Sequence, residues 1–200
     1  TRFREVSWAR DVYKRQDWNS KDAYFYKVIA NRDEYHERKT TEMHWWSNKD
    51  LLAGKDEQAG GTWLGINKDG RFAAITNLKE NTDKKYLSSR GSLVTEFLES
   101  TLSAKAYLED LEKEKENFAG FNLIVGDKNG LFYLCNRLEG IFFLNEGTHA
   151  LGNLTLNAST SKVESIKGDL DLLIHNGFNE SDAINLMKKE FGILLSLIHI

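Results

Sequence analysis

The chain has 200 residues, a formal net charge of −3, 40% hydrophobic residues and 28% charged residues, which suits one packed soluble core and argues against both a disordered chain and a membrane protein. No stretch approaches the roughly 18 consecutive apolar residues of a membrane helix, and acidic and basic residues are interspersed rather than gathered on a basic face, which argues against nucleic acid as a partner. The single cysteine, Cys135, excludes an internal disulfide framework and suits a reducing compartment, and with no proline the turns fall to Gly, Asn, Asp and Ser.

In chain order, residues 23–30 are aromatic and β-branched and predict a strand that runs into the polar stretch Asn31-Arg32-Asp33-Glu34. Read from the residues alone, that stretch is a polar turn. Residues 62–67 and 71–77, separated by Lys68-Asp69-Gly70, predict a β-hairpin with Asp-Gly at the turn. Ser92 and Ser103 are expected to cap two helices, carrying Leu93, Val94, Phe97 and Leu98 in one and Tyr107, Leu108 and Leu111 in the other. The charged run 109–116 reads as the solvated face and end of the second helix. Residues 121–125 and 131–135 form a further hairpin pattern through Asp127-Lys128-Asn129-Gly130, and 140–144 a third strand leading to a loop over 147–153. Helical patterns follow over 161–175, with Gly177 as its stop, and over 181–191. Strands, helices, strands and then helices predict α+β layering.

No dinucleotide or phosphate-loop glycine pattern is present, and His36, His44 and His149 lack metal-ligand spacing, so neither a cofactor nor a metal is expected. Trp45, Trp46 and Trp63 read as core or groove-lining aromatics, with Trp63 the better core member. Cys135, inside a predicted strand, reads as a buried structural thiol rather than a nucleophile.

Several patches, in order, carry a resemblance: Ala30-Asn31-Arg32-Asp33-Glu34-Tyr35, Leu52-Ala53-Gly54-Lys55-Asp56, Gly60-Gly61-Thr62-Trp63-Leu64-Gly65, Gly70-Arg71-Phe72-Ala73-Ala74-Ile75-Thr76-Asn77, Ser89-Arg90-Gly91 and Gly120-Phe121-Asn122-Leu123-Ile124. Together they resemble the NRDE family, the group that includes the transport and Golgi organisation 2 proteins, over about residues 22–155. After Asn153 the resemblance thins, because Ala150-Leu151-Gly152-Asn153 stands where that family has Gly-Leu-Ser-Asn, and no Pro-Trp stretch follows.

The resemblance implies an α+β fold of the N-terminal-nucleophile-hydrolase type, an αββα sandwich of two antiparallel sheets covered by helices, with the first strand abutting the hairpin that ends at Asn77. It also implies a chemistry. In similar hydrolases a terminal cysteine attacks an amide carbonyl while its own α-amine accepts the proton. Asp33 matches the aspartate that orients the amine, Asn77 and Asn153 match donors to the developing oxyanion, and Arg32 lies one place from a substrate-facing arginine. Arg90 either caps a helix approach or binds an anionic group of the substrate. The competing implication is a non-catalytic binding or trafficking protein, active in Golgi organisation, secretion, or haem and lipid handling. Either would hold a small amide or apolar ligand, in the cytoplasm if the protein is bacterial and near the Golgi or mitochondria in eukaryotic relatives.

Residues 1–16 and 195–200 resemble translated sequencing adaptor, read from opposite strands of one transposon end. They are expected to be non-native and to pack poorly, leaving 17–194 as one domain truncated at both ends. The position where the family resemblance would put the nucleophile then falls inside the replaced segment.

Overall fold

A computed structural model describes residues 27–30, 37–81, 84, 86, 88–188 and 196–199, with backbone alone at 162, 180, 187, 188 and 196–199. The chain divides into two compact units, Glu34–Asn145 and the pair of segments Thr1–Asp33 and Glu146–Ile200. Residues 1–16 and the first half of the first predicted strand, 23–26, lie outside the described residues.

The Glu34–Asn145 unit is a seven-stranded antiparallel sheet in sequential order: β2 Thr40–Trp45, β3 Leu51–Asp56, β4 Leu64–Asn67, β5 Phe72–Asn77, β6 Phe121–Asp127, β7 Gly130–Cys135 and β8 Phe142–Phe143. Between β5 and β6 the chain forms α1 Arg90–Glu99, α2 Ala104–Glu112 and a 3-10 turn, Lys115–Asn117. Cross-strand register places Ala73 opposite Val125 and Ile75 opposite Leu123. Those four side chains join Leu93, Val94, Phe97, Leu98, Leu108 and Leu111 in one core cluster, so the helices cover that face.

The alternate residues Phe72, Ala74, Thr76, Asn122, Ile124, Leu131 and Tyr133 are buried as well. Strands buried on both faces lose the apolar-polar alternation, which is why β5, β6 and β7 read as nearly continuous apolar runs. On this second face Tyr133 OH donates to Asn122 Oδ1 at 2.7 Å and Asn122 Nδ2 donates to Thr76 Oγ1 at 3.3 Å.

Two local devices hold the β4–β5 hairpin to α1. Gly70, at φ +76°, takes the left-handed turn position that a residue with a Cβ enters only at a cost. Beside it, Arg71 Nη2 donates to Phe97 O (3.0 Å) and Ser100 Oγ (3.1 Å) while its guanidinium stacks 4.1 Å over the Phe97 ring. Asn67 Nδ2 donates to Leu98 O (2.9 Å). Carbonyls at a helix C-terminus lack intrahelical partners, and here two hairpin side chains supply them and add a positive charge at the negative end of the dipole.

The second unit is a smaller antiparallel sheet in the order β1 Lys27–Ala30, β10 Ser196–His199, β9 Thr148–Leu151, with helices α3 Ser161–His175 and α4 Glu180–Lys188. Ile29, Ala150, Ile166, Leu170, Ala183 and Leu186 form its core cluster. The architecture is therefore α+β, with an antiparallel sheet and helices in each unit.

Several elements differ from the sequence expectation. Ser89, not Ser92, is the N-cap of α1; the Ser92 hydroxyl donates back to Ser89 O within the first turn. Ser103 caps α2 as expected, accepting from Ala106 N. β2 and β3 carry no clear strand signal because β2 is largely exposed and a bulge between Thr41 and His44 breaks the period of two. The loop expected over 147–153 is instead strand β9 through Leu151, and the third strand shortens to Phe142–Phe143. β1 pairs with β10 and not with the hairpin ending at Asn77, which belongs to the seven-stranded sheet. Residues 196–199, expected to pack poorly, are hydrogen-bonded on both sides, to β1 and to β9.

Candidate functional site

At the end of β5 the chain leaves the sheet with Asn77 exposed. Asn77 lies opposite Phe121 and, by alternation, on the helix-covered face with Ala73 and Ile75. The next residue fixes the exit, since Leu78 N donates to Gly120 O at 2.9 Å. Arg90, the first residue of α1, reaches the same oxygen: its Nη1 donates to Gly120 O at 2.9 Å. The other side of that glycine is held by Glu80, whose Oε2 accepts from Gly120 N at 2.5 Å and whose Oε1 accepts from Arg137 Nε at 2.5 Å.

Arg137 extends the corner. Its Nη2 donates to Tyr86 OH (3.0 Å) and Phe118 O (3.2 Å), and its Nη1 donates to Asn136 O (3.0 Å). Asn136 is fully buried and spans the segment before β6, with Oδ1 accepting from Phe121 N and Nδ2 facing the carbonyls of Lys115, Phe118 and Ala119. The corner is a rigid bracket around one peptide unit, with Asn77 and Arg90 at its rim.

The start of α1 is set by contact with a loop. Gly61 approaches Gly91 so closely that a Cβ on Gly61 would lie 2.8 Å from both C and O of Gly91. That loop begins at Asp56, whose Oδ1 accepts from Gln58 N and Ala59 N and whose Oδ2 pairs with Arg38 at 2.6 Å. The glycines of the Gly60-Gly61-Thr62 and Ser89-Arg90-Gly91 patches thus meet backbone to backbone, and Arg38, Asp56 and Arg90 are gathered by one loop-helix junction.

Burial by itself would raise the Glu80 carboxyl, but hydrogen bonds from Arg137 and from Gly120 N outweigh it and hold the group below its ordinary value of 4.5. A carboxylate depressed in the folded state adds stability that is complete above the unfolded value and is lost as pH falls through the folded one. Glu80→Gln is therefore expected to flatten the acid limb of a stability-pH curve below about pH 4.5. Urea midpoints measured across that range check it, and an unchanged slope refutes the assignment. Burial lowers Arg90, an effect opposed by Glu80 and reinforced by the positive charge of Arg38.

Of the residues singled out from sequence, Asn77 and Arg90 meet at this corner. Asp33 and Arg32 lie outside the described residues. Asn153 is exposed in the bend after β9, in the smaller unit. The neighbouring Asn157, overlooked in sequence, closes that bend: at φ 54° its Oδ1 accepts from Ala150 N at 3.0 Å. Cys135 is buried in β7, as expected. Trp63 and Trp46 pack half-buried against the helix-side core, whereas Trp45 is 49% exposed, with Lys68 Nζ 5.7 Å from its ring centroid. Glu80, Asn136 and Arg137 had no sequence signal, because the contacts that join the corner reach partners 15 to 57 positions away. No helix among the described residues is long and apolar enough to cross a membrane.

The sequence model of the family described as Transport and Golgi organisation 2 matches residues 16–196. The chain belongs to that family. The Transport and Golgi organisation 2 match continues past Asn153, where the motif resemblance thins, and takes in α3 and α4. Among relatives, the Bos taurus "Transport and Golgi organization protein 2 homolog" is 36% identical over 154 residues, covering 72% of this chain and 56% of the relative. The Homo sapiens protein of the same name is 35% identical with the same coverage, and the Mus musculus homolog 34%. The chain thus spans 56% of the length of these Transport and Golgi organisation 2 relatives.

Proposed function

We propose that this fold serves a cysteine hydrolase acting on carbon-nitrogen bonds other than peptides, in which Asn77 donates to the oxyanion. The observation that carries this reading is the exposed Asn77 amide at the rim of the Glu80–Gly120–Arg90 bracket, whose backbone is fixed on both sides. A donor held by a rigid scaffold stabilises developing charge without reorganising during the reaction. Asp33 would orient the α-amine that accepts the nucleophile's proton, and Asn153 would be the second donor; the attacking thiol and that amine belong to one terminal cysteine.

The names of the relatives favour a second reading, a non-catalytic binding or trafficking role in Golgi organisation. One experiment separates the two. Taking residues 1–16 as the replaced segment that the sequence reading expects, a restored form that begins instead with a terminal cysteine is assayed beside the chain as written against small amides and N-acyl amino acids. Hydrolysis is expected only in the restored form, lost when its terminal cysteine becomes alanine and lowered about 10²- to 10³-fold in kcat by Asn77→Ala. Equal activity in both forms overturns the mechanism, and ligand binding without turnover in the restored form selects the second reading.

A further inference from the structure

Arg90 is a cation in an unusual position. Its guanidinium is half-buried and carries five N–H donors, of which one is taken by Gly120 O. Among the described residues no carboxylate lies within ion-pair distance of it: Glu80 is engaged by Arg137 and Gly120 N, and Asp56 by Arg38. Tethering α1 to one carbonyl needs a single donor, and a lysine would provide it. A fork of donors, partly removed from water and set at the junction that also holds Arg38, matches the paired oxygens of an oxyanion instead.

We propose that Arg90 binds a small oxyanion, a carboxylate or phosphate group of a ligand, at the junction of α1 with the Asp56–Thr62 loop. The bound group offsets a guanidinium that forms no ion pair among the described residues, since the nearby Glu80 carboxylate is bonded to Arg137 and to Gly120 N. Because Gly120 O joins Arg90 to the exit of β5, an anion held there lies beside the strand end that carries Asn77. The inference goes beyond the proposed hydrolysis, since it needs neither a terminal cysteine nor turnover and can hold where that reading fails.

Calorimetric titration of the full chain tests it with three probes: N-acetylglycine for a carboxylate, inorganic phosphate, and the neutral N-acetylglycinamide. Binding is expected for N-acetylglycine or phosphate, the stronger naming the source, and not for the amide. Arg90→Gln is expected to weaken it about tenfold to a hundredfold, the usual worth of a charge-assisted contact, and Arg90→Lys to weaken it less. Binding of neither anion, or equal binding by a folded Arg90→Gln chain, overturns the proposal. If that variant does not fold, phenylglyoxal labelling of the intact chain decides: protection of Arg90 by the anion supports the site, and unchanged labelling overturns it.

Discussion

Replacing Asn136 with alanine is expected to lower the unfolding free energy by about 3–5 kcal/mol, a large share of the roughly 5–15 kcal/mol that holds a domain together. The side chain has no exposed surface. Its Oδ1 accepts from Phe121 N at 2.7 Å, and its Nδ2 lies 3.1, 3.2 and 3.1 Å from the carbonyls of Lys115, Phe118 and Ala119. Alanine removes both ends of this bridge and admits no replacement, and each buried group left unpaired costs about 1–3 kcal/mol. Asn136→Asp is expected to be no better, because a carboxylate would face three carbonyl oxygens. Urea unfolding followed by tryptophan fluorescence measures the loss; a change below about 1 kcal/mol would mean that the segment before β6 does not depend on this bridge. The consequence reaches the rim, because Asn136 holds Phe118–Phe121 and thereby the Gly120 peptide on which Arg90 and Leu78 converge.

The second large effect is expected at the loop-helix junction. Gly61→Ala places a methyl 2.8 Å from the C and O of Gly91, atoms of backbone that cannot swing aside as a side chain would. Either the loop or the first turn of α1 must move, a strain of about 1–3 kcal/mol for an overpacked site. Gly91→Ala is expected to be milder, since its Cβ would meet Thr62 O, Thr62 N and the Gly61 Cα at 3.3, 3.5 and 3.6 Å. The order of the two losses in denaturant midpoint is the test, and a greater loss for Gly91→Ala would contradict the contact. Because Arg90 lies next to Gly91, Gly61→Ala is also expected to weaken anion binding at Arg90 without removing any charged group.

Much of this protein was legible before any coordinate. The β4–β5 hairpin follows from Asp69-Gly70, since a left-handed turn position selects glycine whatever surrounds it. Ser103 starts α2 because a hydroxyl can satisfy a first-turn N–H using nearby atoms alone. Family membership was equally legible, because the motifs stand in order along the chain and the match extends over residues 16–196. Asn77 and Arg90 were singled out as candidates, but nothing in the sequence joined them.

What tertiary structure decided are the features whose energy depends on distant partners. Residues 148–151 become β9, and residues 196–199 take the middle of the smaller sheet, because a partner strand lies alongside and not because of local pattern. β2 is a strand despite a broken period, since β3 supplies its hydrogen bonds. Glu80 acquires meaning only when Gly120 and Arg137, 40 and 57 residues away, close around it. Capping, turn geometry and apolar periodicity are settled within a few residues and so are written in the sequence. Strand pairing, backbone contacts such as Gly61 on Gly91 and the charge balance around Arg90 depend on which distant segments fold together.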